Sequence, residues 1–113
     1  MVEKVADMEK NEGSEVDESL VVQLRKPVTF EGKEYAEVDL RGLNNLTAMD
    51  MIREQTRLRR AGMNPPTVET DISFCLGIAA AAATLPLEFF EALPARDAVA
   101  VKNTVSFFLL GVG

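Results

Sequence analysis

Leu85-Pro86-Leu87-Glu88-Phe89-Phe90-Glu91-Ala92-Leu93-Pro94-Ala95-Arg96-Asp97 holds two Leu-Pro steps set eight residues apart. Proline suits the first position of a helix, where its missing N–H would have had no partner. Each step therefore ends one helical segment and starts the next. The spacing predicts a single helical turn over 86–91 and a last helix over about 94–110. On that helix Ala98, Val101, Val105 and Phe108 recur at helical spacing and form an inward stripe. Phe89, Phe90, Phe107 and Phe108 are four of the chain's six phenylalanines. Such a concentration of aromatics builds packing or docking surface.

Upstream, Ile72 to Ala83 is almost wholly apolar but only 12 residues long. A membrane-spanning helix needs about 20, so no membrane segment is expected. The run predicts a buried helix over about 69–84, closed by Thr84 and Pro86. Met63-Asn64-Pro65-Pro66 breaks the chain before it. The preceding segment predicts a helix over about 47–61, with Thr47 and Asp50 close to a capping box. Its acids come early and Arg57, Arg59 and Arg60 come late, which suits the helix dipole.

From 20 to 40 the period changes to two. Val22, Leu24, Val28 and Phe30 share one parity, Glu31-Gly32-Lys33 intervenes, and Ala36, Val38 and Leu40 continue. Alternation around a glycine-containing turn predicts a β-hairpin. Pro27 has no N–H to give a ladder, which places it at a sheet edge or a bulge. The expected fold is α+β: an N-terminal hairpin, three main helices and one short helical turn, in one domain over 20–113. Residues 1–19 carry seven acids against two lysines and no aromatic. They are expected to stay mobile, because they cannot bury enough apolar area to offset their ordering entropy.

The chemical inventory is thin. The chain has no histidine, no tryptophan and one cysteine. It therefore offers no ordinary general base near neutral pH and no common zinc site. Cys75 lies in the apolar helix and reads as a small buried hydrophobe with no base to activate it. One unpaired cysteine fits a reducing compartment, and nothing apolar behind Met1 suggests a secretory signal. Asp71 and Asp97 sit near helix starts and read as caps. Glu88 with Glu91, and Asp39 with Asp50, read as solvated carboxylates. Arg53, Arg57 and Arg60 share a helix face, but the 94 residues after the tail are almost neutral and the tail is acidic. That balance gives no field favouring nucleic acid, so the face reads as solvated or protein-contacting. No enzyme, metal site or cofactor is expected.

Neighbouring phenylalanines on a helix lie about 100° apart, so one of each pair points off a narrow apolar stripe. On that ground Leu87, Phe89, Phe90, Leu93, Phe107 and Leu110 are the expected partner-docking residues. Pro27 and Val28, on the hairpin edge, are the expected self-association site. Lone hairpins are marginal in water, and a small domain with spare aromatic area leans on a partner or a second copy.

Over about residues 20–110 the chain resembles the small tail assembly chaperones of long-tailed bacteriophages and prophages. The matching pieces are the hairpin Leu24-Arg25-Lys26-Pro27-Val28-Thr29-Phe30-Glu31-Gly32-Lys33-Glu34-Tyr35, Leu46-Thr47 followed by Asp50 and Ile52, and the ending Leu85-Pro86, Leu93-Pro94-Ala95-Arg96-Asp97, Val101, Asn103, Val105 and Phe108-Leu109. The acidic tail and the long alanine run depart from the pattern. The resemblance implies a non-catalytic helper that works in the host bacterial cytoplasm and is absent from the mature virion. It would bind the tape measure protein, meet the tail tube protein, and keep the former soluble until the tube polymerises, as a homo-oligomer with repeated weak contacts. A structural tail or head–tail joining protein retained in the virion is the alternative.

Overall fold

The computed structural model describes residues 18–111. Two antiparallel strands, β1 (Val21–Phe30) and β2 (Lys33–Asp39), are followed by a 3-10 turn (Arg41–Asn45) and α1 (Ala48–Arg60). A second 3-10 turn (Val68–Thr70) leads into α2 (Ile72–Ala83), the short α3 (Leu87–Glu91) and α4 (Ala95–Leu110). This is the expected α+β order. The tail expectation falls almost wholly on residues 1–17, which lie outside the described residues.

Helix α2 is the axis of the core. Six consecutive residues, Phe74 to Ala79, are all buried, which on a helix means every face is covered. Leu58 of α1, Phe89 and Phe90 of α3, Val101 and Val105 of α4, and Leu40 and Leu43 before α1 supply the cover, each essentially without exposure. Two glycines permit the closest approaches. A Cβ on Gly42 would stand 2.1 Å from the Ala82 carbonyl oxygen, so only glycine lets the first 3-10 turn seat on the end of α2. A Cβ on Gly77 would collide with the Glu54 carboxylate, which reaches from α1 onto α2.

Local signals set the helix ends. The Thr47 N–H donates to the Asp50 carboxylate at 2.8 Å, completing the expected box at the start of α1. Helix α2 begins at Ile72, three residues later than expected. Glu69 belongs to the 3-10 turn, and Asp71 takes the N-cap by accepting the Phe74 N–H at 2.9 Å. Thr84 ends α2 in the left-handed region (φ 57°), and the Leu85 N–H reaches back to the Ala80 carbonyl at 3.1 Å.

The hairpin is tighter at its tip and less regular in its body than its alternation suggests. Glu31 (φ 53°) and Gly32 (φ 79°) form a two-residue turn, and Lys33 pairs with Phe30 as the first residue of β2. Between the pairs Gln23–Glu37 and Val28–Tyr35, β1 has four residues where β2 has one, Ala36. Pro27 sits in that bulge. The odd surplus shifts the covered face of β2 on the tip side of the bulge, so Tyr35 is half-buried and Ala36, expected inside, is exposed, while Val38 stays buried as expected. Tyr35 and Phe30 then meet Phe89 edge-on, with ring centroids 4.9 and 5.5 Å away. The hairpin is thereby pinned to α3.

Removing that pin tests the packing. Phe89→Ala should lower the unfolding free energy by about 3–5 kcal/mol in a denaturant titration, and a loss below about 1 kcal/mol would contradict a shared aromatic core. At the strand end, Arg41 donates from its Nη2 to Asp39 at 2.7 Å and from its backbone N–H at 3.0 Å, holding the Asp39 carboxyl at about 2. A carboxyl with a folded value below its unfolded one stabilises above the unfolded value. Its share should therefore fade as pH drops from about 4 to about 2. Because Asp39 is half exposed the effect is small; stability curves of wild type and Asp39→Asn should converge toward the acid end of that window.

Candidate functional site

Cys75 and Ser106 are buried, and Arg53 and Arg57 of α1 are paired. Cys75 Sγ lies 3.4 Å from the Glu69 carbonyl and 3.5 Å from Ser106 Oγ, and burial pushes its thiol pKa up, away from reactivity. Ser106 also donates to the Glu69 carbonyl, so the cluster ties the turn before α2 to α4. Arg57 is engaged by Glu54, which holds its pKa above the usual value, and Arg53 reaches Asp50 at 3.5 Å. Among the described residues no group of three potential metal ligands stands together, and no helix is long and apolar enough to cross a membrane.

What remains is surface. The expected docking residues divide into two sets. Phe89 and Phe90 have no exposure and Leu93 has 7%; all three are core residues, a correction to the sequence reading. The reason is that α3 is one short turn enclosed on two sides. Phe89 meets the hairpin rings, while Phe90 backs onto a cleft of about 300 Å³ beside Leu76, Leu87 and Ala98. The 100° rule presumes a helix with one covered side, and α3 has two. It does hold on α4, where Phe107 is 51% exposed while Phe108 is half-buried against the core.

Leu87 is half-buried at the cleft, whose lip includes the exposed Met63 and Ile72. Leu110 is 50% exposed, one turn beyond Phe107. Val99, 46% exposed, extends this line toward the start of α4. Val99, Asn103, Phe107 and Leu110, at steps of four, four and three, make one outward stripe. Its periodicity was present in the sequence, beneath the stronger inward stripe. Helix α1 shows a second mixed face, in which Met49 and Ile52 are each 52% exposed and Ile52 lies beside Arg53, Thr56 and Arg60. Pro27 is exposed and Val28 half-buried.

A family model described as phage tail assembly chaperone proteins, E, or 41 or 14, matches residues 21–110. The match runs from the first residue of β1 to the last of α4. The chain belongs to this family. No curated protein and no solved structure matches it. A role in phage tail assembly accords with what the geometry offers: apolar surface on an otherwise closed body. For a tail assembly chaperone the outward stripe of α4 is the first candidate for contact with another tail protein.

Substitution separates the two sets of phenylalanines. In this chaperone Phe107→Asp should leave the helical circular dichroism signal unchanged and the melting temperature within a few degrees. Phe90→Asp should abolish cooperative melting, because it buries an unpaired charge. Equal tolerance of both changes would contradict the burial described.

Proposed function

We propose that this tail assembly chaperone binds the tape measure protein of its phage and keeps it soluble until the tail tube polymerises around it. The observation that carries this reading is the outward α4 stripe of Val99, Phe107 and Leu110, half-exposed on a chain of the tail assembly chaperone family. A long helical rod with apolar stripes aggregates unless those stripes are covered. A small body offering one apolar stripe of its own can cover a short length, and many copies cover the rod. Each contact is shallow, so binding strength comes from repetition, and tube protein can displace the copies in turn.

Leu87 and the cleft beside it extend the contact, with Met63 and Ile72 at its edge. Self-association through the β1 bulge, at Pro27 and Val28, would align neighbouring copies. The binding is non-catalytic and takes place in the host bacterial cytoplasm, and the chaperone leaves before the virion is complete. Co-expression of the full chain with its phage's tape measure protein should move that protein from the insoluble to the soluble fraction. A tape measure protein that stays insoluble, or a chain recovered at constant stoichiometry in purified particles, would contradict the reading.

A further inference from the structure

Asp97 is the least expected residue in the molecule. Placed in the first turn of α4, it reads as a cap, yet its carboxylate turns outward from its own helix. Oδ1 accepts the backbone N–H of Arg25 at 3.0 Å, across the bulge in β1. The residue is 1% exposed, and Oδ2 is the one buried side-chain polar atom without a hydrogen-bond partner among the described residues. A buried carboxylate oxygen with no donor is costly and rare in a native fold. Asp97 also lines an open furrow of about 470 Å³ between β1 and α4, together with Gln23, Arg25, Arg96, Val99 and Asn103.

Two of those residues, Val99 and Asn103, belong to the outward stripe, so furrow and stripe are one continuous surface. Its rim is basic. Arg25 and Arg96 line it, both are exposed, and among the described residues neither is in an ion pair. We propose that this furrow seats an amphipathic helix of the tape measure protein whose apolar stripe is flanked by acids, and that Asp97 Oδ2 fixes its register by accepting a hydrogen bond from it. The proposal rests on the function inferred above. Charge complementarity selects the occupant: the two unpaired arginines attract acidic flanks. The same cations disfavour a lysine or arginine as the donor, so the group that meets Oδ2 is a hydroxyl, a side-chain amide or a free backbone N–H. Arg25 and Arg96 line the furrow beside Asp97 and are exposed; their side chains would have to swing aside to admit it.

Overlapping peptides tiling the tape measure protein, titrated against the full chain, give the test. The peptides that bind should carry an apolar helical stripe with acidic neighbours, and should bind more weakly as salt rises. Asp97→Asn keeps an oxygen for the Arg25 N–H and puts an NH₂ group where Oδ2 was, so a donor then faces a donor. It should weaken binding about tenfold or more while leaving the melting temperature nearly unchanged. Undiminished binding by Asp97→Asn, or binding confined to basic peptides, overturns the proposal and leaves the wider function standing. Failure of wild type to bind any peptide or the intact protein overturns both. If Asp97→Asn does not fold, the wild type decides: the Asp97 side-chain carboxyl ¹³C resonance should move when peptide is added, and an unmoved resonance overturns the proposal. Self-association of the chain that competes with peptide would put a second copy in the furrow, and overturns the choice of occupant.

Discussion

Everything in this fold answers to a helix that is apolar on all sides. Ile72–Ala83 has no polar face to offer water, and Phe74 to Ala79 are buried without a break. Such a segment is stable only when surrounded. A chain of this size has few elements with which to surround it, so each is used as a wall. Helix α1 closes one side with Leu58, α4 another with Val101 and Val105, and the 3-10 turn at Gly42 closes the end. The short α3 fills the gap between hairpin and helices with Phe89 and Phe90. The apolar side chains left outside, on α4 and on α1, are those the enclosure did not need.

That division explains why the exposed residues can serve as a docking surface. Inward and outward stripes of α4 run side by side on one 16-residue helix, so the core holds rigid the same element that presents Val99, Phe107 and Leu110. Asp97 and Ser106 fasten α4 to β1 and to the turn before α2. A partner docking there would meet a preformed surface and would not have to order it, which would lower the entropic cost of each contact.

The sequence was most legible where local chemistry decides the outcome. The Thr47–Asp50 box, the Asp71 cap and the placing of Pro27 at a bulge are short-range effects, and each stands where the residues put it; the Leu-Pro steps do start helices, with Pro86 and Pro94 one position earlier than expected, at the N-caps. Legibility failed where the outcome depends on how many neighbours an element acquires. Periodicity tells which residues of a helix share a face, but not that a five-residue helix is enclosed on two sides, so Phe89 and Phe90, with Leu93 just beyond the helix, are read as outside. The surplus residues of the β1 bulge reverse the covered face of β2 on the tip side only, leaving Val38 inside as expected and turning Tyr35 inward in place of Ala36, a three-residue offset that alternation cannot reveal. Asp97 looked like a cap because its partner, the Arg25 N–H, is 72 positions away in the chain.

Family membership and geometry meet in the proposal that this chaperone works through the outside of α4 and not through its aromatic core. Hydroxyl-radical footprinting of the full chain, alone and saturated with tape measure protein, addresses that claim side chain by side chain. Val99, Phe107 and Leu110 should become protected on binding, while Phe74, Phe89 and Phe90 remain unreactive in both states. Protection that spares α4, or reactivity appearing at Phe89 and Phe90 when the partner binds, would mean that the core opens to make the contact, and the stripe would lose its role.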